Sequence, residues 1–299
     1  MPKYLQERAE FNSYKNYFPY VLYAVSITII LSFLYQAAGA GMILAIPQSW
    51  REVFEPYIMG SAQILFLLLP IIIISGQVPI PKKEIFRIKN KPNIGILLLS
   101  LLGIFFFQFI LNGYIVFQDL LIPESMQSWY MDLREFIQDK YSGMLGGDTW
   151  MEAFRAIVIA AIIPGICEEF LFRGFAQRLM EQKLNYHKAI IYTAIIFSLI
   201  HLNPIDMIPL FLIGLLLGYT VFISGSIYPA VLMHMANNLM AVLILYNPQG
   251  KEIDTAVKGI SPITGLFFII AGLAATYIYF VLLAKLSRKL REGKPQAES

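Results

Sequence analysis

The sequence predicts an all-α protein, a polytopic membrane bundle of about eight transmembrane helices with an intramembrane cavity. Of the 299 residues, 57% are hydrophobic and only 14% are charged, whereas soluble domains average roughly 25% charged residues. Several apolar runs are about as long as the ~20 residues that cross a bilayer core. The net charge of +3 is small, and the charged residues are concentrated in loops. Such a distribution indicates the orientation of a protein in the membrane, and we expect no nucleic-acid partner.

The predicted spans follow these apolar runs in chain order. The first run is longer than the roughly 7–15 apolar residues of a signal-peptide core, so we interpret it as an uncleaved first span. With boundaries accurate to a few residues, the eight spans are 20–42, 57–76, 93–117, 153–176, 188–203, 207–224, 226–246 and 262–284.

Charges in the connecting loops predict the orientation. Cytoplasmic loops carry an excess of Lys and Arg, and the basic residues here fall on the side of the N-terminus if eight helices alternate. The opposite segment, 118–152, is mainly acidic. We therefore predict an integral, multi-pass protein of the cell membrane with both termini cytoplasmic. The basic residues on that side are Lys82, Lys83, Arg87, Lys89, Lys91, Arg178, Lys183, Lys188, Lys285, Arg288, Lys289, Arg291 and Lys294.

The segment 118–152 is longer than a simple connector. The apolar spacing of Trp129, Leu133, Phe136 and Ile137 predicts a short amphipathic helix at the outer membrane interface. A partly ordered loop is the alternative.

Three charged residues end the apolar stretch 160–173. A charge at membrane depth costs about 2.5–3.5 kcal/mol on insertion scales, so such groups usually face the protein interior and have a function. Glu169 and Arg173 are four residues apart, so they share a helix face and can pair. Glu168 lies about 100° around the helix and has no such local partner. The pattern therefore predicts one held carboxylate and one free carboxylate.

Two histidines, His201 and His234, lie inside other apolar runs. His234 and Asn238 share a helix face, whereas Asn237 points about 100° away and is the weaker candidate. Counted at 1.5 Å per residue, Glu168, His201 and His234 lie roughly 15, 20 and 12 Å below the cytoplasmic face. Three helices thus offer ionisable groups at similar depth, which predicts a common site.

The residue types suggest hydrolysis. A carboxylate and an imidazole together can hold and deprotonate a water molecule. A second imidazole and a carboxamide can donate hydrogen bonds to the oxyanion of a tetrahedral intermediate. Pro164 frees the backbone carbonyl of Ala160, and a kink there would open the helix toward a cavity.

Three motifs resemble those of one membrane protease family. Glu168-Glu169-x-x-x-Arg173, Phe197-x-x-x-His201 and His234-x-x-x-Asn238 are similar to the motifs of the CPBP family, also called the Abi or type II CAAX protease family. All three occur in order, and the resemblance covers about residues 150–246. It implies an intramembrane endopeptidase with a cavity open to the cytoplasm.

The resemblance also implies roles for the motif residues. Glu168 with His201 would activate water, His234 with Asn238 would form the oxyanion hole, and Glu169 with Arg173 would support the geometry. The partner would be a peptide or protein substrate, presented through its C-terminal region or carrying a lipid, alongside membrane lipid itself. The expected mechanism needs no metal. Zinc held by Glu168, His201 and His234 is the alternative, although the sequence lacks the HExxH zincin motif.

Two other functions are alternatives to the endopeptidase. Buried Glu and His residues also suit a proton-coupled transporter, and a catalytically idle immunity or adaptor protein would keep the same scaffold.

We divide the chain into three parts. Residues 1–149 hold three spans and most of the outer loop, 150–246 form the catalytic helix core, and 247–299 hold the last span and a cytoplasmic tail.

Overall fold

The computed structural model describes residues 18–147, 149–246 and 260–292, and this part of the chain contains helices but no β-strand. The all-α fold class is therefore confirmed. The helices are α1 Tyr20–Ala45, α2 Gln48–Gln77, α3 Ile94–Leu121, α4 Glu124–Leu145, α5 150–180, α6 Tyr186–Leu199, α7 Met207–Ser224, α8 Tyr228–Tyr246 and α9 Pro262–Glu292.

Six of the described helices, α1, α2, α3, α7, α8 and α9, are long and apolar enough to cross a membrane. This supports the multi-pass bundle. The predicted fourth span lies within α5, which carries the charged motif, and the predicted fifth span lies in α6, which has only 14 residues. The count of eight spans stays a prediction. So does the orientation, because both termini lie outside the described residues.

Polar side chains at the starts of the helices explain several boundaries. The Asn93 side chain accepts from the Ile96 amide at the start of α3, and Thr149 forms a capping box with Glu152 at the start of α5. Such side chains satisfy amides that have no partner within the helix. α2 begins nine residues before the predicted span because Pro56 lies inside the helix without ending it.

The outer segment forms a real helix, α4, of 22 residues, so the loop alternative is wrong for 124–145. Tyr130 donates to Asp119 Oδ1 over 2.9 Å, and Arg134 Nη1 lies 3.1 Å from the same oxygen. These contacts fasten α4 to the end of α3. Burial, together with the bond to Asp119, raises the pKa of Tyr130 to about 12. Trp129 and Phe136 are exposed, as an interfacial helix requires, but the position of α4 at the membrane surface stays a prediction.

Two apolar clusters build the bundle, and the motif helices join them. One cluster combines α1 and α2 with Phe172 and Phe197, and the other combines α3 and α9 with Met233. Gly214 allows α7 to approach α6 closely, because an added Cβ would lie 2.9 Å from Ala194 Cβ. The motif residues therefore lie at the junction of the two halves.

Two cavities in the described part of the chain do not border the motif residues. One, of about 440 Å³, is lined by Leu99, Leu282, Lys285, Leu286 and Lys289. The other, of about 210 Å³, lies between α3, α7 and α9. The predicted intramembrane cavity at the site stays a prediction, as does its opening to the cytoplasm.

Candidate active site

The two adjacent glutamates lie where α5 changes its winding. Ile157–Ile162 and Phe170–Ala176 are π-helical, and the seven residues between them, Ile163–Glu169, are α-helical. π-Helical turns within α-helices are rare and frequently occur at functional sites. The two carboxylates thus lie where an α-helical segment meets a π-helical one.

Glu169 and Arg173 form the predicted ion pair. Arg173 Nη1 donates to Glu169 Oε1 over 2.8 Å, and the two side chains are 1% and 0% exposed. Arg173 Nη2 also donates to the Gly214 carbonyl over 3.3 Å, and the guanidinium carbon lies 4.5 Å from the centre of the Phe197 ring. The pair therefore connects α5 to both α6 and α7.

Glu169 also holds His234, a contact that sequence reasoning missed. His234 Nδ1 lies 2.9 Å from Glu169 Oε1. Because a carboxylate accepts hydrogen bonds, this nitrogen carries the proton and donates it. His234 Nε2 lies 3.9 Å from Glu168 Oε2. Glu169 thus orients the imidazole so that its other nitrogen faces Glu168.

His201 is oriented in the same way from the opposite side. It follows the end of α6, and its Nδ1 lies 2.6 Å from the Phe197 carbonyl oxygen. That oxygen can only accept, so Nδ1 donates, and in the neutral imidazole Nε2 then carries the lone pair. His201 Nε2 lies 3.7 Å from Glu168 Oε2. The His201 side chain is 27% exposed, against 8% for Glu168, so His201 is the more accessible of the two.

Both imidazoles of the site face the same atom, Glu168 Oε2. This oxygen is buried and makes no direct hydrogen bond within the described residues. Distances of 3.7 and 3.9 Å to the two imidazoles exceed a direct hydrogen bond and suit one that a water molecule bridges. The predicted meeting of Glu168, His201 and His234 is therefore found, whereas their catalytic roles stay predictions.

Asn238 reaches a different part of α5. Its Nδ2 donates to the Ala160 carbonyl over 3.1 Å. In a regular helix the amide of residue 164 would occupy that carbonyl, but Pro164 has no N–H. The carbonyl that Pro164 frees is therefore bound by Asn238, and this bond was not expected from the sequence.

Two further polar residues join Asn238, and sequence reasoning gave neither a role. Gln108 of α3 donates through Nε2 to Asn237 Oδ1 over 3.0 Å. Asn237 Nδ2 in turn donates to Asn238 Oδ1 over 3.3 Å. A glutamine within the apolar run 94–121 and the pair of adjacent asparagines were the available signals.

Close approach of α5 and α8 completes the geometry. An added Cβ at Gly165 would lie 2.5 Å from Met235 Cγ and 3.1 Å from the Met235 amide nitrogen. Only glycine allows this contact, which brings His234 to the two glutamates. Cys167, the residue before Glu168, is a buried free thiol that packs in the apolar cluster of α1 and α2.

The alternative of zinc held by Glu168, His201 and His234 stays a prediction. Tetrahedral zinc with ligands at about 2.0–2.2 Å requires donor atoms about 3.4 Å apart, and the separations from Glu168 Oε2 are 3.7 and 3.9 Å. Within the described residues, no group of three or more His, Cys, Asp or Glu is arranged to hold a metal ion. We derive no step through a metal.

Comparison with known proteins agrees with the motifs. A family model described as Type II CAAX prenyl endopeptidase Rce1-like matches residues 150–240, which are 91 of the 299 residues. The resemblance stated from the sequence is confirmed for this segment, and all six predicted site residues fall within it. No curated protein and no solved structure matches the chain. Together with the membrane-capable helices, the match supports an integral membrane protease of the CAAX type that acts on a peptide or protein substrate.

Proposed function

We propose that this protein is an intramembrane endopeptidase in which Glu168 and His201 activate a water molecule. One observation carries the proposal. The Nε2 atoms of His201 and His234 lie 3.7 and 3.9 Å from the same buried oxygen of Glu168, which has no direct partner in the described structure.

The hydrogen-bonding roles of the atoms favour a bound water. Glu168 Oε2 and the lone pair of His201 Nε2 are both acceptors, so neither can bond the other directly. A water between them donates one hydrogen to each, which leaves its own lone pair free for the substrate carbonyl. Glu168 then takes a proton as the water attacks, the general-base half of hydrolysis.

His234 supplies the opposite character. Its Nδ1–H is held by the Glu169 carboxylate, and we propose that Nε2 also carries a proton that it can donate. Charge balance points the same way, because two buried carboxylates face a single buried Arg173, and an uncompensated buried charge is costly. A charged His234 makes the cluster neutral.

The reaction then follows from these donors and acceptors. The water oxygen bonds to the substrate carbonyl carbon, and the oxyanion is stabilised by His234 Nε2–H and by the second N–H of the Asn238 amide. The C–N bond breaks as the proton held by Glu168 moves to the leaving nitrogen. The products are a carboxylic acid and an amine. We propose that the substrate is presented at the membrane through its C-terminal region.

The first experiment is cleavage of a peptide library by the purified full chain in detergent, with lipid-modified and unmodified C-terminal peptides as separate arms. Glu168→Gln keeps the shape of the side chain but removes the base, so we expect cleavage to fall by about a hundredfold or more. Glu84→Gln, at an exposed glutamate far from the motifs, is the matched control. We expect a strong chelator to leave the wild-type rate unchanged.

Each outcome selects among the proposed functions. Cleavage that survives Glu168→Gln would refute the water mechanism, and loss of wild-type cleavage on chelation would return zinc to the site. If the wild-type protein cleaves no peptide in either arm, the endopeptidase proposal fails. In that case, proton uptake by proteoliposomes separates the transporter from the idle immunity or adaptor protein.

A further inference from the structure

We infer that Gln108 and Asn237 are positioning residues that orient Asn238, through a chain of amide hydrogen bonds that ends on the Ala160 carbonyl. This inference rests on the proposed function, since it concerns the oxyanion donor. It adds a contribution from α3, which lies outside the segment that the protease motifs cover.

The donor and acceptor roles in this series of amide hydrogen bonds are fixed by its last acceptor. The Ala160 carbonyl can only accept a hydrogen bond, so the Asn238 atom that faces it over 3.1 Å must be the NH₂ group. The other end of that amide is then an oxygen, which needs a donor. Asn237 Nδ2 is that donor, at 3.3 Å.

The same reasoning extends the series of amide hydrogen bonds to Gln108 of α3. With its NH₂ directed at Asn238, Asn237 presents its own oxygen to Gln108, whose Nε2 lies 3.0 Å away. Each amide therefore has one allowed orientation, and the choice does not depend on how oxygen and nitrogen are assigned in any one of them. Pro164 is the origin of this series of bonds, because it lacks the amide that would bond the Ala160 carbonyl in a regular helix.

The consequence for Asn238 is preorganisation. Its oxygen is held by Asn237, and one of its two N–H bonds is held by Ala160, so the plane of the carboxamide is fixed. The second N–H then has one direction in which to donate. A donor fixed before the reaction stabilises a developing oxyanion without paying for reorientation. Gln108 and Asn237 touch no reacting atom in this scheme, and they act through Asn238.

The test is a double-mutant cycle in the full-length protein. Asn237→Leu and Asn237→Asp each remove the donor to Asn238, and Gln108→Leu removes the donor to Asn237. We expect kcat to fall about tenfold to a hundredfold with KM little changed, since a small misplacement near the chemistry has effects of that size. Ser100→Ala, which removes another buried polar group of α3, is the control and leaves kcat unchanged.

The decisive comparison is made in the Asn238→Ala background. Residues that act only through Asn238 have no further effect on kcat once its amide is gone, whereas residues with a merely structural role lower kcat by the same factor in both backgrounds. Equal factors in the two backgrounds would overturn the inference. So would a KM effect with kcat unchanged.

A second readout separates this inference from the proposed function. If the wild-type protein cleaves nothing, the endopeptidase proposal fails by itself, and the chain is tested by unfolding in detergent. The free energies of unfolding of Asn237→Leu, Asn238→Ala and the double variant should then be non-additive. Additive values would refute the chain of amides whatever the protein's activity.

Discussion

Gly165→Ala tests whether the close approach of α5 and α8 builds the site. The added methyl group would lie 2.5 Å from Met235 Cγ, 3.1 Å from its amide nitrogen and 3.3 Å from its Cα. The side-chain carbon can rotate away, but the backbone atoms of α8 cannot. The helix must therefore move outward by a few tenths of an ångström.

That displacement acts directly on His234, the residue before Met235. The bond from its Nδ1 to Glu169 Oε1 is 2.9 Å and would stretch to the limit of a good hydrogen bond, at about 3.2 Å. We expect kcat to fall about tenfold and the free energy of unfolding to fall by about 1–3 kcal/mol, as for other overpacked contacts.

The assay compares cleavage rates and detergent unfolding of Gly165→Ala with those of Gly41→Ala. Gly41 lies in α1, and no atom would lie within 4 Å of an added Cβ. Alanine also favours a helix over glycine by roughly 0.5–1 kcal/mol, so the control should be unchanged or slightly more stable. Two variants that behave alike in both measurements would refute the reasoning.

Three further outcomes are expected. Arg173→Met removes the guanidinium group from the buried Glu169 and should lower the free energy of unfolding by about 3–5 kcal/mol; a loss below about 1 kcal/mol, measured in mixed micelles, would contradict the buried pair. Gly214→Ala should loosen α6 from α7, because its Cβ would lie 2.9 Å from Ala194 Cβ, and an unchanged unfolding midpoint would argue against that packing. Tyr130 should ionise near pH 12, its raised pKa, so the bond to Asp119 persists below pH 10 and is lost as the pH rises through 12; phenolate absorbance compared with Tyr130→Phe checks this, and ionisation near pH 10 would be the contrary result.

Residue spacing was enough to predict the pairs that lie along one helix. Glu169 and Arg173 are four residues apart, so helical geometry alone brings them together. Their burial followed from the apolar run around them. The meeting of Glu168 with His201 and His234 required a depth estimate in addition, and it succeeded because charged loops mark where each helix starts.

Contacts between helices were beyond the same reasoning. The bond from His234 to Glu169 depends on how closely α5 and α8 approach at Gly165, and a sequence carries no signal for the rotation of one helix against another. Gln108 shows the limit clearly. A glutamine in an apolar span indicates an interior partner, but nothing in the chain says that the partner is Asn237, 129 residues later.

Pro164 shows a different limit. The sequence indicated a freed carbonyl at Ala160, which we interpreted as a potential kink. The structure shows that carbonyl bound by Asn238, while the kink stays a prediction. Local chemistry identified the unsatisfied group correctly, and only the tertiary structure could supply its partner.

The shortness of α6 has a consequence for the surrounding lipid. Fourteen residues rise about 21 Å, whereas the hydrocarbon layer is about 30 Å thick. If α6 begins at the cytoplasmic edge of that layer, as the predicted fifth span requires, the turn with His201 that follows α6 ends about 9 Å short of the far side, unless the lipid thins to meet it as hydrophobic mismatch favours. The thickness of the host bilayer thereby sets how much hydrocarbon separates the buried carboxylate from bulk water on that side.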